Sequence, residues 1–178
     1  MGKCRYKNKK QWIRRLVVLF LIIAAGYSVY ISSNQDESPV KKGDPAPNFE
    51  LFVLDGSKVT LHEYKGKAVI LNFWATWCHP CQSEMPLLEE EYLKRKEKPF
   101  EILAVNYAET EVAVSLFQSN FDLSFPLLLD PDKKVATQYG VSVLPVTFFI
   151  NADGIVVSKV VGELSKEVLQ ENIQKIMP

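Results

Sequence analysis

One long apolar block and a series of short ones organise this chain of 178 residues. The long block, Leu16–Ile31, is sixteen residues without a charge. With Ile13 and Ser32-Ser33 at its ends it approaches the ~20 residues that cross a bilayer. The short blocks have the length of strands. Ala68–Ala75 is almost continuously apolar, as in a strand covered on both faces. Phe100–Tyr107 and Phe125–Leu129 are two more such runs. Asn48–Leu54 and Lys58–Leu61 flank Asp55-Gly56, which predicts a β-hairpin. Val146–Ile150, the turn 151–154 and Ile155–Val161 predict strand, turn and strand. Between them lie helical patterns. One runs from Pro80 to about Lys96, with Pro86 inside it removing a hydrogen bond and bending the axis. A second covers Glu111–Phe121, with Val112, Leu116 and Phe117 apolar. A short third, Lys133–Tyr139, ends at Gly140, and Ser165 is placed to cap a last helix reaching about Ile176. Helices alternating with buried strands, closed by an antiparallel hairpin, predict an α/β sheet with helices on both faces.

Charge sets the orientation of the long block. Residues 1–15 carry seven Lys and Arg and no acid, so of 21 basic residues 14 remain against 21 acids, a formal −7 beyond the flank. A basic flank stays in the cytoplasm. A basic tail (1–11), a transmembrane signal-anchor (12–33), a polar linker (34–44) and an outward-facing domain (45–178) are therefore expected. Trp12, Tyr27 and Tyr30 suit the interfaces, and Arg14 and Arg15 the headgroups. The competing reading is a cleaved signal peptide. It lacks a small-x-small cleavage site, since Ala24-Ala25-Gly26 falls within the apolar run. Cys4 precedes that run and reads as an idle thiol. A mildly acidic domain argues against nucleic acid as a partner. The one later basic cluster, Lys94-Arg95-Lys96, follows Glu89-Glu90-Glu91 on the same predicted helix and reads as a solvated face.

The chemistry centres on Cys78-His79-Pro80-Cys81, where an apolar strand turns into a helix. Two thiols three positions apart at a helix N-terminus can close into a disulfide and reopen. The free N–H groups and positive dipole end there favour thiolate, the form that attacks disulfides. Half of a zinc site is the other use of such a pair. It needs two more ligands, and only His62, His79 and Cys4 are left as nitrogen or sulfur donors. No metal is expected, and no cofactor beyond the Cys78–Cys81 disulfide itself.

The strand, Trp77-Cys-x-x-Cys and a later Leu144-Pro145-Val146-Thr147 together resemble thioredoxin-fold proteins over residues 45–178. The segment Cys78-His79-Pro80-Cys81-Gln82-Ser83-Glu84-Met85-Pro86 is similar to the Cys-x-Pro-Cys-x-x-Glu-x-Pro signature of membrane-tethered TlpA/ResA-type thiol-disulfide oxidoreductases. Pro47-Asn48-Phe49, the run Asn72–Trp77, Asp130 and an extra helix–strand between Tyr107 and Asp130 fit the same group. The resemblance implies a thioredoxin-like fold with a central mixed sheet, an N-terminal hairpin and an inserted helix–strand, preceded by one transmembrane helix. It implies a protein-disulfide reductase on the outer face of the membrane. Its substrate would be the Cys-x-x-Cys-His disulfide of apocytochrome c, and a membrane thiol carrier of the CcdA type would recharge it. Asn72 stands where thioredoxin has a buried Asp and cannot exchange a proton at neutral pH.

Residue roles follow from that frame. Cys78, nearer the helix start and the more exposed, is the expected nucleophile, and Cys81 resolves the mixed disulfide. Glu84 lies one helical turn beyond Cys81. As a partly buried acid with a raised pKa it is expected to pass the Cys81 proton. His79 modulates the Cys78 thiolate. By the resemblance, the bond before Pro145 is cis and the Leu144 backbone pairs with an extended substrate. Trp77 lines the apolar rim that meets substrate, whereas Trp74 is core. A thiol oxidase or isomerase uses the same motif, and reduction potential separates the directions. A peroxiredoxin pattern would require Pro and Thr where Leu71 and Ala75 stand. A copper-binding assembly factor on this fold would require Cys-x-x-x-Cys and a distant His, and none follows His79.

Overall fold

The computed structural model describes residues 4–33 and 40–177, with side chains in the first helix described for residues 12–27. The chain falls into two units, Met1–Glu37 and Ser38–Pro178. The first contains helix α1 (Cys4–Ser33). Among the described residues no helix is long and apolar enough to cross a membrane. The expected basic tail and most of the linker lie outside the described side chains.

The second unit is built on one seven-stranded sheet. Its elements are β1 (Glu50–Val53), β2 (Lys58–Thr60), β3 (Ala68–Trp74), α2 (His79–Arg95), β4 (Phe100–Tyr107), α3 (Glu111–Phe121), β5 (Leu127–Asp130), α4 (Lys134–Gln138), β6 (Val146–Ile150), β7 (Val156–Val161) and α5 (Lys166–Ile176). The strand order is β2-β1-β5-β4-β3-β6-β7. β3, β4 and β5 run parallel and the outer pairs antiparallel, so the sheet is mixed, with an N-terminal hairpin at one edge. The inserted α3–β5 brings β5 between the hairpin and β4.

Where boundaries differ from the expected ones, backbone chemistry explains the difference. β5 starts at Leu127 and not Phe125, because Pro126 has no N–H to give the ladder. Leu61 leaves the hairpin and enters a 3₁₀ turn, Leu61–Tyr64, whose Glu63 carboxylate accepts from the Thr60 N–H. Ile155 is drawn into a bridge with Pro45, so β7 begins one residue later. α2 begins at His79, with Cys78 as its N-cap, and continues through Pro86 to Arg95. Ser165 caps α5 as expected, accepting from the Val168 N–H.

The period-two alternation of the buried strands divides the core into two layers. Ala68, Ile70 and Trp74 of β3 face one cluster with Met85 and Leu88 of α2, Val114 and Phe117 of α3, and Leu169 and Ile173 of α5. Val69, Leu71 and Phe73 face the other, with Tyr139 just after α4 and Phe49 ahead of β1. Both faces are therefore covered, which is why the central strands are apolar at most positions on either side. The alternation also decides the site. Asn72 shares the side of Ile70 and Trp74, and Thr147 is its register partner on β6, so two polar side chains stand together on the face that α2 covers.

Candidate active site

β3 delivers the chain to the site and α2 carries it away. After Trp74 the loop reaches Cys78, whose Sγ accepts from the Cys81 N–H at 3.3 Å, an N-cap made by a sulfur. Cys78 and Cys81 form a disulfide with Cα atoms 5.2 Å apart. Cys78 is 5% exposed and Cys81 fully buried. Cys78 is thus the more accessible sulfur, but both sit close to closed. The helix N-terminus lies against Cys78 Sγ and stabilises a thiolate there when the bond is reduced.

Glu84 is on the next turn of α2 and is entirely buried, not partly buried as expected. Its Oε1 accepts from Asn72 Nδ2 at 2.7 Å, and its Oε2 from the Leu164 N–H at 2.9 Å. Burial drives its pKa up from 4.5 to about 7, and the like charge of Glu163 adds to the rise. The two hydrogen bonds favour the carboxylate and oppose the shift without cancelling it. A group with that affinity holds and releases a proton near neutral pH.

The loop bearing Trp77 is pinned on both sides. Glu109, just past β4, accepts from the Thr76 N–H at 2.7 Å and from Thr76 Oγ1 at 2.5 Å. Asn106 Nδ2 steadies the same carboxylate at 2.7 Å, and Gln82 Nε2 donates to the Thr76 carbonyl at 2.6 Å. Trp77 follows, 66% exposed, whereas Trp74 is buried beside Phe117 with ring centroids 4.6 Å apart. His79 is exposed at the start of α2. The Leu144–Pro145 bond is cis. Because Phe73 pairs with Val146, the chain enters β6 beside the place where β3 leaves for Cys78. Leu144 packs against the cluster that contains both cysteines. The fold therefore gathers Cys78, Cys81, Glu84, Leu144 and Pro145 at one end of the sheet, with Trp77 and His79 on the surface there. Among the described residues no group of three or more His, Cys, Asp and Glu is placed to hold a metal.

Sequence reasoning missed Glu109, Thr147 and the Leu164 amide. Glu109 had a signal, an acid two residues past the end of a buried strand. Thr147 is a hydroxyl inside an apolar strand. The Leu164 N–H has no sequence signal, because any residue but proline supplies one.

The comparisons with known proteins agree with this geometry. The family model described as "AhpC/TSA family" matches residues 42–159. A thiol-disulfide oxidoreductase ResA of Bacillus cereus is 43% identical over 172 residues, 97% of this chain and 99% of that one. The ResA of Bacillus subtilis (strain 168) is 38% identical over 97% of this chain and 96% of its own. Among solved structures, a proposed thiol:disulfide interchange protein DsbE from Chlorobium tepidum superposes with a TM-score of 0.74 at 33% identity, covering 78% of this chain and 99% of its own. With that end-to-end identity and a disulfide at a helix N-terminus, the chain belongs to the AhpC/TSA family and, within it, to the ResA thiol-disulfide oxidoreductases.

Proposed function

We propose that this thiol-disulfide oxidoreductase works as a reductant of protein disulfides on the outer face of the cell membrane. The haem-binding Cys-x-x-Cys-His disulfide of apocytochrome c is its client, and a CcdA-type membrane thiol carrier restores its dithiol. The carrying observation is the buried Glu84, one helical turn beyond Cys81 on the helix that Cys78 Sγ caps. In the forward direction the Cys78 thiolate attacks one sulfur of the client disulfide. A mixed disulfide forms and one client thiolate leaves. Cys81 gives up its proton and attacks Cys78 Sγ. The Cys78–Cys81 bond closes and the second client thiolate is released, taking up a proton. Two electrons have passed to the client. Glu84 takes the Cys81 proton in this scheme and returns it when the disulfide is reduced again. No group beyond the disulfide carries electrons.

Trp77 supplies apolar contact area at the rim, the cis Leu144–Pro145 segment offers backbone to an extended client, and His79 tunes the Cys78 thiolate. The membrane reading rests on α1. Leu16 through Ile23 are all exposed, so this stretch is apolar on every side. A helix apolar all round requires an apolar surround. The charge-free run continues to Ile31, beyond the described side chains, and the basic flank holds its N-terminus in the cytoplasm.

The reduction potential of the Cys78–Cys81 couple tests the direction. A local reductant in an oxidising compartment requires a value near or below that of thioredoxin, about −270 mV or lower. A value near about −120 mV, in the range of strong oxidants, would overturn the reductant assignment and favour a thiol oxidase.

A further inference from the structure

Asn72 and Thr147 form a buried polar pair on the largely apolar sheet face that α2 covers. Both are fully buried and are register partners across β3 and β6. Asn72 Nδ2 uses both its hydrogens, on Glu84 Oε1 at 2.7 Å and on Thr147 Oγ1 at 2.9 Å. Its Oδ1 is buried without a hydrogen-bond partner among the described residues. An amide that serves only packing has no reason to leave an acceptor orphaned in a dry core, where that costs stability. The amide is turned so that both donors are used and the acceptor is sacrificed.

We infer that Asn72, oriented by Thr147, is a positioning residue that lets Glu84 exchange its proton as a single independent group. The inference rests on the assignment of Glu84 as the proton carrier. Three features support it. The amide faces the carboxylate with a donor, which selects the ionised form. When Glu84 takes a proton, the amide can rotate and present Oδ1 to the new O–H. Thr147 can follow, because a hydroxyl both accepts and donates. Lastly, an amide has no proton to contribute. An Asp at this position would stand within hydrogen-bond reach of Glu84, and two carboxylates there would share one proton and titrate as a coupled pair. The titratable groups around Glu84 are then few. Cys81 lies on its own helix and Cys78 at that helix's N-cap, Glu163 lies in the β7–α5 loop, and among the described residues β3 and β6 face it with the neutral Asn72 and Thr147.

The test is the pH profile of thiol alkylation and of disulfide exchange, measured on the full chain in detergent for Asn72→Asp, Thr147→Val and Thr147→Ser. Asn72→Asp should replace the single carboxylate inflection with two that are spread apart. Thr147→Val removes the acceptor that orients the amide and should move the inflection up by about one pH unit, a tenfold gain in proton affinity. Thr147→Ser restores the hydroxyl and should restore the profile. A merely structural role would alter stability in all three variants without moving the inflection. Profiles of Asn72→Asp and Thr147→Val that superimpose on wild type overturn the inference. Glu84→Gln, run alongside, separates the two layers. If it leaves the wild-type profile unchanged, the proton-carrier assignment fails; if it removes the inflection while the Asn72 and Thr147 variants do nothing, only the positioning role fails.

Discussion

Replacing Glu84 with Gln should change how stability depends on pH, and the size of the effect follows from the site. Glu84 binds its proton with a pKa of about 7 in the folded chain against an ordinary 4.5. The folded state therefore holds more protons than the unfolded state between those two values. The contribution of Glu84 to stability is fully present below pH 4.5 and is lost as pH rises through 7. The distance from 4.5 to about 7, at about 1.4 kcal/mol for each pH unit, amounts to about 3 kcal/mol. That is a large share of the ~5–15 kcal/mol by which domains are held folded. Gln does not titrate and nearly matches Glu in shape. Its Oε1 can accept from the Leu164 N–H while a rotated Asn72 accepts from its Nε2. Glu84→Gln should therefore flatten the slope and gain up to about 3 kcal/mol on wild type between pH 4 and pH 8. Urea unfolding of the oxidised protein at half-unit pH steps, read by near-ultraviolet circular dichroism of buried Trp74, measures it. The same variant should slow disulfide exchange at neutral pH by up to ~10²-fold, the usual contribution of a general acid or base. Parallel stability curves for wild type and variant across pH 4–8 would refute the reasoning, because they would mean that Glu84 binds its proton equally well in the folded and the unfolded chain.

Three further outcomes are expected. Trp77→Ala should raise KM for a protein disulfide about tenfold while shifting unfolding by no more than ~0.5 kcal/mol, since the side chain is 66% exposed; steady-state kinetics beside urea unfolding decide it, and a stability loss without a KM change would refute it. Glu109→Ala should cost about 2 kcal/mol, because it leaves the Thr76 N–H and Oγ1 without their charged acceptor, and Glu109→Gln should recover part of that in the same unfolding assay. Protease added to intact protoplasts should remove residues 45–178 while cytoplasmic markers survive; protein free in the medium, starting near Ser32, would show a cleaved signal instead.

Local pattern along the chain dictated a good part of this fold before any packing is considered. The nearly continuous apolar runs at 68–75 and 100–107, broken only by Asn72, Glu101 and Asn106, fit strands buried on both faces, and they appear as β3 and β4. Thr-Trp-Cys-x-Pro-Cys after such a run placed the disulfide at a helix start, because Pro is tolerated in the first turn and nowhere later without cost. Ser165 declared the start of α5 by its side-chain oxygen. Glu84 could be named from the resemblance and its spacing to Cys81, but its complete burial could not. Helical spacing fixes the face of α2 it occupies, whereas the depth of that face depends on β3 and β6 closing over it. Asn72 and Thr147 are 75 residues apart in the chain, and only antiparallel pairing of β3 with β6 sets one against the other. Glu109 reaches Thr76 across 33 residues through the parallel β3–β4 register. The proton affinity of Glu84 is likewise a tertiary property. It combines water removed by burial, one amide from β3, one backbone N–H from beyond β7 and the like charge of Glu163, and no short segment of chain brings those to the same carboxylate.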